Sequence, residues 1–137
     1  MCIILDANHF GKFDDPQNED MKPVHRWLNK QYGRIVYSDT RKFRNEWNRG
    51  GIRLLESLRQ DGSLKLVARS EVEKVESTLA GKTQSDDEHI IALAIVAAVK
   101  VLVSSDRALH QDFKNIVGGS IYQTKSHSRL LNRDTCP

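Results

Sequence analysis

The sequence contains few cysteines and no long hydrophobic run, and both absences exclude classes of protein. The two cysteines, Cys2 and Cys136, stand at opposite ends of the chain, without the close spacing of metal-binding or disulfide-rich domains. This pattern favours reduced cysteines and a cytoplasmic location. No apolar stretch reaches the roughly 20 residues that a membrane helix needs. No basic segment precedes the first apolar run, as it would in a signal peptide.

The sequence also lacks the short motifs that would supply a covalent nucleophile, a zinc site or a nucleotide-binding loop. It contains no GxSxG, HExxH, CxxC or P-loop pattern. The five histidines show no ligand spacing, so we assign none of them a role. Chemistry is therefore expected to depend on acidic residues. The histidines are His9, His25, His89, His110 and His127.

The length and composition are those of one soluble domain. The chain has 137 residues, of which 39% are hydrophobic and 28% are charged, and these values are typical of a globular protein. We expect a single domain over residues 1–137. Residues 124–137 are expected to add a final turn or to form a loosely packed tail.

Short apolar runs alternate with helix-type patterns along the chain. Parallel strands need connections that pass over the sheet, so this alternation predicts a three-layer α/β/α fold. Its central sheet is expected to be mainly parallel, with four to five strands. The predicted strands cover residues 2–5, 34–37, 64–68, 100–104 and 120–123.

Local residues indicate where helices begin and end. Thr40 can cap a helix that ends before the two glycines at 50 and 51. The polar segment 11–20 is expected to be a loop. Two further helices open with the capping-box pattern, namely Ser70 with Glu73 and Ser85 with Glu88.

Acidic residues lie where a parallel sheet presents side chains at the carboxyl ends of its strands. Asp6 follows the first strand, Asp106 follows the fourth, and Asp87 opens a long apolar helix. Glu46 lies on the helix after the second strand. Carboxylates gathered at this edge repel one another unless a cation joins them. The pattern therefore predicts a site for Mg²⁺ or Mn²⁺.

The segments IILDAN (residues 3–8), SDDEHIIALA (85–94) and VLVSSD (101–106) together resemble the PIN domain, a family of metal-dependent nucleases. The resemblance covers most of the chain and implies a PIN-like fold. It implies that Asp6, Glu46, Asp87 and Asp106 are the catalytic acids, and that Asp6, Asp87 and Asp106 bind the metal. It also implies that Asn8 and Ser104 support these ligands.

Three other acids are alternatives or additions at this site. Asp39 lies in the long basic segment before the helix that follows the second strand, and it is the alternative to Glu46. Asp86 is adjacent to Asp87 and is the alternative to it. Asp112 follows the last motif and would be a further acid after Asp106.

Cations are concentrated between Met21 and Arg53, although the whole chain has a net charge of only +3. Aromatic residues are interleaved with them, as in surfaces that bind phosphates and stack on bases. Amphipathic helices with buried rings and solvated charges show the same pattern. We expect Arg41, Lys42 and Arg44 to bind the nucleic-acid backbone.

The leading hypothesis is a PIN-like endoribonuclease that hydrolyses RNA phosphodiester bonds with a metal-activated water. The resemblance implies the toxin of a toxin–antitoxin pair, whose antitoxin protein covers the acidic site, and it implies a homodimer. The choice between RNA and DNA, the target sequence and the number of metal ions stay open.

Two hypotheses from other classes compete with this one. A catalytically weak PIN-like module that binds RNA or a protein is disfavoured, because clustered negative charge repels a polyanion. A phospho-acceptor receiver domain would need paired acids directly after the first strand. Asp14 and Asp15 stand too far from Leu5 for that role, although Lys125 matches the expected lysine.

Overall fold

A five-stranded parallel sheet forms the centre of the protein in the computed structural model, which describes residues 2–132. Helices flank this sheet, so the predicted three-layer α/β/α fold is confirmed. All residues of the first and fourth strands are buried, as expected for central strands covered on both faces. The strands are β1 (Cys2–Leu5), β2 (Arg34–Tyr37), β3 (Leu64–Leu66), β4 (Val101–Val103) and β5 (Ser120–Tyr122).

The strand order determines where a ligand site can lie. It is β3-β2-β1-β4-β5, and every pair is parallel. The chain moves outward from β1 through β2 and β3 and then crosses to the other side of β1 to form β4. In open α/β sheets ligands bind at such a reversal, beyond the carboxyl ends of the strands. The order also differs from the flavodoxin-like order 2-1-3-4-5, which argues against the receiver hypothesis.

Two helices differ from the predictions: the helix capped by Thr40 includes Gly50 instead of ending before it, and a further helix forms near the amino terminus. We expected a loop here, but the segment from residue 10 to residue 14 is helical. The helix places Phe10 and Phe13 on one face, and both rings are buried. A π-helical turn, Phe113–Val117, extends the last α-helix. The α-helices are α1 (Phe10–Asp14), α2 (Lys22–Asn29), α3 (Arg41–Gly50), α4 (Ile52–Gln60), α5 (Arg69–Thr78), α6 (Glu88–Ala97) and α7 (Arg107–Asp112).

The predicted cap at Thr40 is present, but the prediction of two capping boxes is wrong. The Thr40 hydroxyl accepts a hydrogen bond from the Phe43 N–H at 3.4 Å and caps α3. In α5 the cap position is Ala68, so Ser70 lies inside the helix. In α6 the cap position is Asp87, because the Ser85 side chain is bound elsewhere in the fold.

The described part of the predicted tail is attached to the domain. Residues 125–130 form a short 3₁₀ helix, and the Lys125 N–H donates to an Asp20 carboxylate oxygen at 3.0 Å. The Trp27 indole N–H donates to the Asn132 carbonyl at 2.5 Å. These contacts connect residues 124–132 to α2 and to the loop before it. The rest of the predicted tail, residues 133–137, lies outside the described residues.

The expectations drawn from the cysteines and from hydropathy have different outcomes. Cys2 is buried and is not a free thiol, which differs from the expectation of reduced cysteines, and Cys136 lies outside the described residues. Within residues 2–132, every helix is too short or too polar to cross a membrane.

A close approach of the backbone at Gly119 provides a test of the packing between the π-helical turn and β4. A Cβ atom at this position would lie 2.2 Å from a Phe113 ring carbon and 2.7 Å from the Lys100 carbonyl oxygen. We therefore expect Gly119→Ala to lower the free energy of unfolding by about 1–3 kcal/mol, as measured by urea denaturation. In the control Gly11→Ala, the added Cβ would meet no atom within 4 Å. Because Gly11 lies in α1, this control should be neutral or stabilising by up to about 1 kcal/mol, and equal effects of both substitutions would contradict the packing described.

Candidate metal centre

The site begins at the junction of β1 and β4. The Asp6 N–H donates to the Val103 carbonyl at 3.0 Å, which continues the pairing of the two strands by one residue. The Asp6 carboxylate is buried with 3% exposure, and the Ser104 hydroxyl donates to its Oδ2 at 2.7 Å. The Asp106 N–H donates to the same hydroxyl at 3.1 Å. Ser104 therefore connects the Asp6 carboxylate with the main chain of Asp106.

Asp106 combines its place in the site with a structural role. Its Oδ1 accepts a hydrogen bond from the Leu109 N–H at 3.2 Å and caps α7. The residue is half-buried. The cap uses only Oδ1, so the other carboxylate oxygen of Asp106 can bind a metal ion without breaking the cap.

Asp87 occupies the cap position of α6, but its side chain makes no capping hydrogen bond. Its pKa is raised from 3.8 to about 6. Burial is the largest cause, the charge of Asp6 adds to it, and the neighbouring His89 opposes it. Glu46 and Asp106 raise the pKa further. The four acids predicted from the sequence therefore lie close enough to interact electrostatically.

The pKa of Asp6 is also raised, for related reasons. Burial has the largest effect, and the hydrogen bond from Ser104 opposes it. The charges of Glu46 and Asp106 raise this pKa as well, whereas a backbone hydrogen bond from Asn8 lowers it. Asn8 thus supports Asp6 through its main chain, while its side chain is exposed.

Glu46 is held by a histidine that the sequence did not indicate. The His89 Nε2 lies 2.5 Å from the Glu46 Oε1, and the His89 side chain is completely buried. Its other ring nitrogen, Nδ1, is buried without a hydrogen-bond partner. A buried N–H without an acceptor is rarer than an unpaired acceptor. We therefore assign the proton to Nε2, so that His89 donates to Glu46.

Among residues 2–132, one group of side chains is close enough to hold a metal ion. Ligand atoms of Glu46, Asp87 and His89 lie within 4.8 Å of one another. Carboxylate oxygens suit Mg²⁺ and Mn²⁺, whereas an imidazole nitrogen suits transition metals better. Asp6 and Asp106 lie outside this close group but interact with Asp87 electrostatically.

His89 contacts Glu46 and belongs to the close group, although the sequence assigns it no role. It is 43 positions away from Glu46, so spacing along the chain does not reveal the contact. One signal was present: His89 is a polar residue at the start of a helix that is otherwise apolar almost all round. Such a residue needs a polar partner inside the fold.

The three alternative acids lie outside this site. Asp39 is exposed and its carboxylate lies 4.0 Å from the Arg69 guanidinium. Asp86 is exposed, and only its carbonyl oxygen is engaged, by the ammonium group of Lys42. Asp112 is buried, but its carboxylate binds the loop before α6. The structure thus favours Glu46 over Asp39 and Asp87 over Asp86.

The predicted nucleic-acid surface has its cations exposed and its rings buried. Arg41 and Arg44 are exposed on α3, the helix that carries Glu46, and Lys42 is half-buried. The aromatic rings of this segment pack in the core or against it, so within residues 21–53 the basic surface has no exposed aromatic ring. The buried rings are Trp27, Tyr37, Phe43 and Trp47, and Tyr32 is half-buried.

Comparisons with family models, curated proteins and solved structures gave no match to this chain. The resemblance to the PIN domain therefore depends on the three sequence segments alone and stays a prediction.

The raised pKa of Asp87 predicts an unusual stability change in the metal-free protein. A carboxyl group whose pKa is higher in the folded state contributes stability below its ordinary pKa of 3.8, and loses it as the pH rises through about 6. Asp87→Asn should therefore stabilise the protein near neutral pH, by on the order of 1 kcal/mol after allowance for solvent screening. The measurement is urea denaturation with a chelator present. The gain should disappear below about pH 4.

The control for this measurement is Asp86→Asn, because Asp86 is the adjacent acid and its side chain is exposed. We expect a change within about 0.5 kcal/mol for this variant. A lower stability of Asp87→Asn near neutral pH would show that the charge of Asp87 is compensated in the folded protein.

Proposed function

We propose that this protein is a metal-dependent ribonuclease of the PIN type. The observation that carries the proposal is the convergence of Asp6, Glu46, Asp87 and Asp106 at the reversal between β1 and β4, beside His89. The acids come from separate parts of the chain, and their charges raise the pKa values of Asp6 and Asp87. A cation would compensate this excess negative charge.

The side chains present fit Mg²⁺ or Mn²⁺ as the cofactor. Asp6, Asp87 and Asp106 would supply carboxylate oxygens, and Glu46 would be kept in place by His89. A divalent cation at this site would lower the pKa of a bound water and neutralise charge on the phosphate. The buried hydroxyl of Ser104 keeps Asp6 and Asp106 side by side, so the ligands need little rearrangement before binding.

The basic face of α3 supports a polyanionic substrate. Arg41 and Arg44 are exposed on the helix that presents Glu46 to the acidic site. Exposed cations on the helix that carries a site acid would attract the phosphate backbone and offset part of its repulsion by the carboxylates. With the rings buried, backbone contacts rather than base stacking would provide most of the affinity.

The toxin role belongs to the same proposal. Its support is the resemblance of the three sequence segments to small PIN proteins. An antitoxin would inhibit by covering the acidic site, and a homodimer would be the active form. The alternative of a weakly catalytic binding module is disfavoured by the four clustered acids, because a binding surface for RNA gains nothing from their charge.

Cleavage of RNA with and without Mg²⁺ or Mn²⁺ tests the proposed activity. We expect metal-dependent cleavage by the parent protein and a loss of at least about a hundredfold in Asp6→Asn and in Asp106→Asn. Glu56→Gln is the control, because Glu56 is an exposed acid on α4, and it should retain full activity. Cleavage that survives both aspartate substitutions would exclude the site. Absence of cleavage of any RNA or DNA would favour the binding module.

Salt dependence of RNA binding tests the role of α3. In the cleavage-deficient Asp106→Asn background, Arg44→Ala should weaken binding and reduce the slope of log affinity against log salt concentration by about 0.7 for one lost contact with single-stranded RNA. Fluorescence anisotropy of a labelled RNA measures both quantities. Arg34→Ala is the matched control, because Arg34 is exposed at the opposite, amino end of β2. Equal effects of the two substitutions would place the RNA elsewhere.

A further inference from the structure

Asp112 is a buried carboxylate with an unusually complete set of donors, all of them from one loop. The Gln84 N–H lies 2.9 and 3.1 Å from its two oxygens. The Ser85 N–H donates at 2.9 Å and the Ser85 hydroxyl at 2.7 Å. Burial alone would raise the pKa of Asp112, but together these hydrogen bonds outweigh burial and lower it. The donors of the loop therefore favour the charged form of the carboxylate and hold it in place.

The loop that Asp112 binds leads directly to the site. The hydroxyl of Ser85 accepts a hydrogen bond from the Asp87 N–H at 3.4 Å, in addition to its bond to Asp112. Asp112, Ser85 and Asp87 thus form a continuous chain of hydrogen bonds. Asp87 is at its end, and the side chain of Asp87 does not cap its own helix.

Asp112 is the last residue of α7, and the first end of this helix also belongs to the site. This helix begins after Asp106, which caps it, and ends at Asp112. One helix of six residues therefore has a site acid at its start and the anchor of the Asp87 loop at its end. A helix has a fixed rise per residue, so α7 acts as a spacer between the two parts of the site.

Few other contacts hold this loop. The Thr83 hydroxyl lies near the Ser85 carbonyl and the Glu88 carboxylate, at 2.9 and 3.0 Å. The Lys42 ammonium group donates to the Asp86 carbonyl. Neither contact connects the loop to β4 or α7. Among the described residues, the hydrogen bonds that join the loop to the Asp106 side of the site are those of Asp112.

We propose that Asp112 is a positioning residue that sets the place of Asp87 relative to Asp106 and thereby the metal affinity of the site. This inference rests on the metal centre of the proposed function and not on its substrate. A carboxylate suits this position, because three donors converge on its Oδ2 and the Gln84 N–H also contacts its Oδ1. In Asp112→Asn the oxygen would have to take the place of Oδ2, and the amide N–H groups would then face the Gln84 N–H, so two donors would oppose each other in a buried place.

Calorimetric titration with Mn²⁺ alone tests the inference without RNA. We expect Asp112→Asn to bind Mn²⁺ about tenfold to a hundredfold more weakly than the parent. In an Asp87→Asn background the same substitution should cause no further loss, because the residue that it positions is no longer a ligand. This double-mutant cycle separates positioning from general destabilisation, which would weaken binding in both backgrounds.

Two further variants keep the test informative if Asp112→Asn folds poorly. Ser85→Ala removes one donor to Asp112 and the acceptor for Asp87, so affinity should fall several-fold while Asp112 keeps its other partners. Gln84→Ala is the control, because Gln84 binds Asp112 through its main chain and its side chain is exposed. It should bind Mn²⁺ as the parent does. Thermal unfolding without metal confirms that each variant is folded at the titration temperature.

The outcomes for the inference and for the proposed function differ. Unchanged Mn²⁺ affinity in Asp112→Asn and Ser85→Ala, or equal losses in the parent and Asp87→Asn backgrounds, would overturn the positioning role alone. Parent protein that binds Mn²⁺ in the expected pattern but cleaves no RNA would overturn the ribonuclease and leave the positioning role supported. A parent that binds no Mn²⁺ would overturn both.

Discussion

The repulsion between carboxylates at the end of β1 and β4 is the constraint on which the rest of the site depends. Two acids, Asp6 and Asp87, have their pKa values raised by burial and by the charges around them. These acids destabilise the folded protein at one edge of a sheet in which β1 and β4 are otherwise completely apolar. Natural proteins retain such conflicts mainly where a ligand or a reaction requires them.

The fold compensates three of the four acids with different kinds of donor. Asp6 accepts from the Ser104 hydroxyl, Asp106 from the main chain of α7, and Glu46 from His89. Burial and the charge of Asp6 raise the pKa of Asp87, and within residues 2–132 no hydrogen bond to its carboxylate offsets them. Cation binding would therefore relieve Asp87 more than any other member. The loop that carries Asp87 is also the one that needs an anchor outside the site.

Patterns with a single physical cause were predictable from the sequence. The strands were recognised because buried parallel strands are short apolar runs, and Asp6 and Asp106 followed from strand ends that must meet at one edge. Tertiary contacts decided the rest. The Ser85 hydroxyl matched a local cap but donates to Asp112, 27 positions away, and the Glu46 to His89 contact has no local signature.

The basic segment on α3 also shows that one sequence pattern can correspond to two different structures. Alternating rings and cations on α3 describe both an RNA-binding surface and an ordinary amphipathic helix. The structure buries Phe43 and Trp47 and leaves Arg41 and Arg44 exposed. Arg41 and Arg44 are therefore accessible to a nucleic acid, whereas Phe43 and Trp47 are part of the hydrophobic core.

The contact between Asp6 and Ser104 also determines when the site can form during synthesis. These two residues are 98 positions apart in the chain, and contacts between distant residues form late in folding because they close long loops. Asp6 leaves the ribosome well before Ser104 and Asp106 are made. A nascent chain that ends before Asp106 holds an incomplete acidic site, so the complete set of ligands exists only after nearly the whole domain has been made.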